Sequence, residues 1–262
     1  MPDSDKRYAN TLARGLSILR AFRPTDNGLG NLELSERTGI PRSTVSRLTF
    51  TLCALGYLTH GRHHDKYRLG PAALALGNIA AASFSFVESA TPIMQRLADE
   101  TATLIGVAIQ DDVKMLMVKT WRPEGSPSIW LDVGYRMPIL SSSSGAAYVG
   151  ALTDDETGTL ARLLPEDQGH AFSRLTEQAR DQLLARGYAC VSGSERFARS
   201  INALATPYRP SEFGAPVVFF SGATSDALSD ERIRDSVGPA LAKAVDELRR
   251  ATGQTFPTVA PI

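Results

Sequence analysis

The chain has 262 residues, room for two ordinary domains at roughly 100–200 residues each. With 43% of them hydrophobic and 21% charged, a disordered or fibrous chain is excluded and a packed core is expected. No stretch approaches the ~20 uninterrupted apolar residues that a membrane span requires, and the opening MPDSDKRYAN has no apolar leader core; a cytoplasmic protein without a membrane partner is expected. The net charge of zero is divided along the chain. Residues 1–75 hold 11 Lys and Arg against 6 Asp and Glu, a balance of +5, and residues 76–262 hold 17 against 22, a balance of −5. A basic head joined to an acidic body points to a polyanion partner for the head alone. Cys53 and Cys190 are the only cysteines; without the paired spacing of a zinc site they read as buried thiols, and neither metal nor cofactor is expected.

The head begins with NTLARGLSILRAF, where Leu12, Leu16, Leu19 and Phe22 recur at helical spacing and Asn10 or Thr11 is available as a cap. NLELSERTG follows as a short helix stopped by Gly39, at a position suited to a left-handed residue. IPRSTVSRLTFTLCALG then supplies Pro41 at a helix start, an inward face of Val45, Leu48, Leu52 and Leu55, and Gly56 as the stop. Helix, short helix, glycine turn and longer helix are the order of a helix-turn-helix, whose last helix enters the major groove by its N-terminal part. Arg42, Ser43, Thr44, Ser46 and Arg47 fall on the outer faces of that part, and none is acidic. Hydroxyls and guanidinium groups there suit phosphates and base edges. In YLTHGRHHDKYRLG, two short strands flank a polar turn, the pattern of a wing, with Arg62, His63 and Lys66 placed to follow a sugar-phosphate backbone. The adjacent histidines lack a carboxylate or cysteine partner at metal-ligand spacing.

These segments, LARGLSILRAF, LSERTGIPRSTVSRLTFTLCALGYL and DKYRLGPAALALG, closely resemble the winged helix-turn-helix of the IclR family of transcriptional regulators. The resemblance covers nearly all of residues 10–77. It implies that the protein binds a double-stranded DNA operator as a homodimer or tetramer, with linker helices and heads pairing between subunits.

Beyond the head, PAALALGNIAAASFSFVESATPIMQRLADETA reads as an alanine-rich linker helix followed by a second helix starting near Thr91-Pro92. Strands are expected at TLIGVAIQDD, VKMLMVKTW and SIWLDVGYR, with Asp111-Asp112 as a hairpin turn. Further strands are expected at INALATPYR and APVVFFSGAT, with helices at SGAAYVGAL, LTEQARDQLLARG and IRDSVGPALAKAVDELRRAT. Together these predict an α+β protein: an N-terminal winged helix-turn-helix over residues 1–70, a linker helix over 71–89, an effector domain over 90–252 with a mixed or antiparallel sheet flanked by helices, and a tail over 253–262. The resemblance makes that third part a GAF-like effector-binding domain.

SSSSGAAYVG, residues 141–150, poses the chemical question. A serine nucleophile needs a base. His170 is the only histidine beyond the wing, and neither a G-x-S-x-G elbow, an S-x-x-K pair nor a Gly-Lys-Ser/Thr phosphate loop is present. Two readings stay open: serines that only cap a helix beginning near Gly145, and a helix-start pocket whose free N–H groups and positive dipole end seat a carboxylate or carbonyl oxygen. The resemblance assigns Ser142, Ser143, Ser144, Gly145 and Ala146 to an effector cavity, faced by Phe219, Ser221 and Ala203 and walled by Ile129, Leu131 and Trp130. Some members place an acid just before the INALATP-type strand. Here SGSERFARS offers Glu195 for that place or pointing outward, with Arg196 and Arg199 competing. The expected function is DNA-binding transcriptional regulation by a small-molecule effector, an organic or aromatic acid. The alternatives are a metabolic enzyme or a protein-interaction module with an accessory winged helix.

Overall fold

The computed structural model describes residues 7–60, 66–191 and 193–254. The chain divides into two compact units, one reaching Ser83 and one starting at Phe84.

In the first unit, α1 (Asn10–Arg20), α2 (Asn31–Thr38) and α3 (Arg42–Ala54) are followed by the antiparallel pair β1 (Leu58–His60) and β2 (Tyr67–Leu69), then α4 (Pro71–Ala82). Gly39 ends α2 with φ +69, a conformation that side-chain-bearing residues resist; Ser35 accepts its N–H, and α3 restarts three residues later. Ile18, Leu29, Leu34, Ile40, Val45 and Leu58 form the core. Leu29 and Tyr67 exchange backbone hydrogen bonds of 2.9 and 2.8 Å, which ties the α1–α2 connection to the wing.

Two faces differ from the sequence reading. In α1 the buried positions are Gly15 and Ile18, while Leu12 and Leu16 face solvent and Leu19 and Phe22 are half-buried. In α3 the buried positions are Val45 and Thr49, with Leu48 and Leu52 at the margin and Leu55 exposed. Thr49 is admitted to the core because its hydroxyl bonds the Val45 carbonyl, 3.0 Å. No side chain caps α1. α4 buries none of its residues; Leu74 is 66% and Ile79 68% exposed.

The second unit is a five-stranded antiparallel sheet in the order β5-β4-β3-β7-β6, between two helical layers. Its elements are α5 (Phe86–Thr101), β3 (Leu104–Asp111), β4 (Lys114–Trp121), β5 (Arg136–Pro138), α6 (Ser143–Gly150), α7 (Asp154–Ala161), α8 (Gly169–Arg186), β6 (Ile201–Tyr208), β7 (Val217–Thr224), α9 (Asp230–Arg232) and α10 (Gly238–Ala251). A π-helical turn, Ile233–Val237, joins the last two helices. One sheet face packs on α5 and α10, the other on α6 and α8. Alternation along β7 sends Val217, Phe219 and Ala223 to the first face and Val218 and Phe220 to the second.

α5 begins at Phe86, five residues before the expected start, and runs through Pro92. Phe86, Ala90, Ile93, Met94, Leu97 and Ala98 make one buried stripe, and burial of that stripe outweighs the hydrogen bond lost at proline. SIWLDVGYR is not a strand. Arg136–Pro138 forms the ladder with β4 and Gly134 and Tyr135 bond the Met117 backbone, while residues 122–133 leave the sheet edge. Cys53 and Cys190 are half-buried rather than enclosed; the Arg186 guanidinium lies 3.2 Å from the Cys190 sulfur.

Candidate functional site: an exposed helix start and a buried one

The first two turns of α3 present Arg42, Ser43, Ser46 and Arg47 to solvent, with Thr44 half-exposed. Val45 at 0% exposure and Thr49 fix that orientation by anchoring the opposite side. Among the described residues no ion pair or hydrogen bond engages the side chains of these five; Thr49 and Thr51 reach only their backbone, at the Ser46 and Arg47 carbonyls. Two guanidinium groups and three hydroxyls are therefore free for a polyanion. Lys66 is partly engaged: its ammonium lies 3.6 Å from Glu33, on a surface pair nearly half exposed on both sides. The Gly30 N–H, then desolvation and Lys66, act on the Glu33 carboxyl, and the net result is a lowered pKa. Arg62 and His63 lie outside the described residues. Arg68, which the sequence reading did not single out, bonds the Asn27 side chain beside the wing.

α6 also opens on hydroxyls, and there they are buried. The Ser142 hydroxyl donates to the Pro138 carbonyl (2.6 Å) and accepts the Gly145 N–H (3.0 Å), a helix cap. The Ser143 hydroxyl donates to the Ala203 carbonyl (2.7 Å) and accepts the Val191 N–H (3.1 Å), joining α6 to β6 and to the segment after α8. Ser144 makes no side-chain hydrogen bond among the described residues, and no acceptor there engages the N–H of Ser143 or Ser144. Gly145 permits the packing: a Cβ there would stand 2.0 Å from the Ile139 carbonyl oxygen.

Ser142, Ser143 and Ser144 line a cavity closed by Ile129, Leu131, Met137, Phe197, Ile201, Ala203, Phe220 and Gly222. Its volume is about 30 Å³, room for about two water molecules. No acid, base or thiol is in this lining. His170 is exposed at the start of α8, and burial pushes the Tyr148 phenol on α6 up to about 12, which keeps it neutral. The arrangement offers a serine no proton acceptor, and the accessible lining is apolar, as most of the wall of a small-molecule binding site is.

Several expected cavity residues stand elsewhere. Phe219 points to the opposite sheet face, among Trp121, Phe86 and Tyr208. Ser221 also turns that way, its hydroxyl 2.8 Å from Thr103. Neighbouring strand residues alternate sides, so Phe220 and Gly222 occupy the cavity wall instead. Gly145 packs on Ile139 and Ala146 enters the core under the sheet; neither lines the chamber. Trp130 is 76% exposed, outside the wall. Glu195 faces outward in a 3.6 Å surface pair with Arg174, while Arg196 reaches Asn202 and Asp230. Phe197, Ile201 and Met137 are lining residues that sequence reasoning missed. Ile201 shares the alternation of Ala203 and was legible from it; Phe197 sits in an irregular segment that has no such period.

A helix-turn-helix head with a free cationic and hydroxylic helix start, joined in one chain to an antiparallel domain with a small apolar chamber, defines a DNA-binding protein that senses a small molecule. The family model for the IclR helix-turn-helix domain matches residues 11–61, and that for the C-terminal part of bacterial IclR transcriptional regulators matches residues 79–210. An IclR family regulator from Brucella abortus, known by its crystal structure, is 31% identical with a TM-score of 0.79, over 96% of this chain and 95% of that one. The HTH-type transcriptional regulator TsaQ1/TsaQ2 of Comamonas testosteroni is 27% identical over 95% of this chain and 90% of its own length. An IclR homologue from Microbacterium hydrocarbonoxydans, crystallised with 4-hydroxybenzoate, shares the fold at 18% identity and a TM-score of 0.68, over 92% of this chain and 99% of that one. The chain belongs to the IclR family of transcriptional regulators. No single helix among the described residues is long and apolar enough to cross a membrane.

Proposed function

We propose that α3 reads an operator through Arg42, Ser43, Thr44, Ser46 and Arg47, with Arg62, His63 and Lys66 of the wing following the backbone, and that the chamber at the start of α6 binds the effector. Residues 1–70 are the DNA-binding domain, 71–89 the linker and 90–252 the effector domain; the first turn of α5 then falls within the linker. The observation that carries this reading is the contrast between a helix start whose polar groups are free and exposed and a second that lies buried beside an apolar chamber. The chamber's apolar walls suit an apolar or aromatic body, and the adjoining start of α6, where no acceptor among the described residues engages the N–H of Ser143 or Ser144, would seat a carboxylate or carbonyl oxygen. A small organic acid fits that chemistry, and the 4-hydroxybenzoate complex of the Microbacterium homologue supports the aromatic form. The protein acts in the cytoplasm, where its operator is.

Self-association belongs to the same proposal. α4 exposes Leu74, Leu76 and Ile79 and carries no charge, and such a surface is stabilised by covering it with a second copy. A homodimer places two recognition helices on a two-fold site, with a tetramer as its pairing, and effector binding shifts the spacing of the heads and so the operator affinity.

A gel-shift assay with the DNA flanking its own gene, at two salt concentrations, tests the first half. Sequence-selective, salt-sensitive retardation is expected, and no retardation at low salt sinks it. Thermal shift against a panel of carboxylic and aromatic acids tests the second. A rise in midpoint that Ala203→Leu abolishes is expected; a rise that survives that substitution places the ligand elsewhere.

A further inference from the structure

The chamber is too small for the ligands its chemistry suits. About 30 Å³ holds roughly two waters, so a benzoate-sized molecule enters only if a wall withdraws. Most of the walls cannot: Met137, Ser142, Ser143, Ser144, Phe220 and Gly222, six of the eleven lining residues, are buried in the sheet or in α6. Phe197 is exposed on an irregular segment of its own; Ile129 and Leu131 are different again. They belong to the segment that leaves the sheet edge, in which no residue from 124 to 136 is buried.

That segment is anchored at both ends. Gln95 of α5 donates to the Arg122 carbonyl (2.7 Å), and the Glu124 N–H donates to Asp99 (2.8 Å). At the far end the Gly134 N–H donates to Met117 of β4 (2.8 Å). Gly125 at φ +75 stands just inside the first anchor and Gly134 at φ +90 is itself the second, and glycine at such angles is a natural hinge because its backbone crosses between wells at low steric cost. Between the hinges Ile129 and Leu131 pack against the core beneath, and among the described residues one side chain from outside 125–133 makes the polar contacts. The Arg122 guanidinium stacks 4.3 Å from the Trp130 ring centre, donates to the Leu131 carbonyl (3.1 Å) and lies 3.7 Å from Asp132; Trp130 in turn donates to Asp132 (2.8 Å).

We propose that residues 125–133 form a hinged flap whose closed state, latched by Arg122 on Trp130, Leu131 and Asp132, shuts the chamber and gates the entry of its ligand. The gating role rests on the chamber being the effector site; the opening of the flap does not. With only the half-buried Ile129 and Leu131 packed on the core and one polar latch, the flap has a low local opening free energy.

The test therefore uses no effector. In the full-length protein with Cys53→Ser and Cys190→Ser, a thiol is introduced at Ala203→Cys on the chamber wall, and its labelling by N-ethylmaleimide, which is larger than the chamber, is timed. A second thiol, Ala205→Cys, sits two residues along the same face, at 0% exposure. Adding Arg122→Ala should speed labelling at 203 about threefold or more, the scale of one exposed cation–π contact, and leave labelling at 205 unchanged. Trp130→Ala, at an exposed position that costs the fold little, should act in the same direction. Equal labelling at 203 with and without the latch overturns the proposal, as does equal acceleration at 203 and 205, which would mean general loosening. Failure of the acid panel to shift the melting midpoint would count against the effector reading and leave this result standing.

Discussion

RSTVSR at the start of α3 and SSSSGA at the start of α6 both open a helix on short hydroxyl side chains, and the molecule uses them in opposite ways. On α3 the serines and arginines project into solvent around a single buried valine. On α6 the hydroxyls of Ser142 and Ser143 are absorbed by backbone groups of Pro138, Gly145, Ala203 and Val191. A hydroxyl at a helix start is thus a contact group where the neighbouring turn is open and a structural bridge where three elements converge. Its chemistry is set by what competes for its hydrogen bonds.

Substitutions at the two helix starts should separate in kind, and the largest effect is expected at Gly145→Val. A side chain 2.0 Å from the Ile139 carbonyl oxygen forces backbone movement, and a loss of about 3 kcal/mol or more in urea unfolding of the second unit is expected. Ser143→Ala comes next. It leaves the Ala203 carbonyl and the Val191 N–H without their partner in a buried place, and about 2–3 kcal/mol is expected by the same measurement. A loss below about 0.5 kcal/mol would show that the hydroxyl is not a bridge.

Arg47→Ala on α3 should behave in the reverse manner. Operator affinity is expected to fall by roughly 1–3 kcal/mol in a fluorescence-anisotropy titration while the melting midpoint stays put; an unchanged affinity removes Arg47 from the interface. The comparison extends to the two glutamates that cap helices. Glu33 accepts the Gly30 N–H at 2.7 Å, and Glu156 takes the Thr153 N–H together with two hydrogen bonds from Arg209 at 2.9 Å each. Arg209 holds the Glu156 carboxyl below its usual range. A lowered carboxylate stabilises the fold above its unfolded value of about 4.5 and loses that contribution as pH falls through the folded value. Glu156→Gln should cost about 1 kcal/mol at pH 7, and the cost should shrink towards zero on acid titration below pH 4.5. The smallest effect is expected at Ser144→Ala: within about 0.5 kcal/mol in stability, with a change confined to the thermal shift produced by an acid ligand.

Much of the head could be read from residues alone. Gly39, Pro41 and Gly56 punctuate three helices, and the spacing of Val45 against Arg42, Ser43 and Arg47 sets the outward face without help from the rest of the chain, because a helix period is local. The same period failed on α1, where Leu12 and Leu16 are exposed and Gly15 and Ile18 buried. An apolar stripe tells that a face can be covered but not by what, and on α1 the helix period alone does not say which of two stripes enters the core.

In the second unit the strands were legible and their sidedness was not. INALATPYR and APVVFFSGAT alternate so little that Phe219 and Phe220 looked equivalent, and only the register Ala203↔Gly222 and Ala205↔Phe220 decides which of them faces the chamber. A strand covered by helices on both sides carries apolar residues at every position, so its pattern contains no sign of face. The flap was lost for a related reason: Ile129 and Leu131 have strand-like chemistry, and it was the early departure from the edge of β4 that made them a lid. The sequence by itself determined the class of protein, the recognition helix and the place of the serine run, all of which depend on neighbours within a few residues. Which serines are bridges, which aromatic ring lines the wall and what closes the chamber were decided by strand register and by the convergence of distant segments, which only the tertiary structure sets.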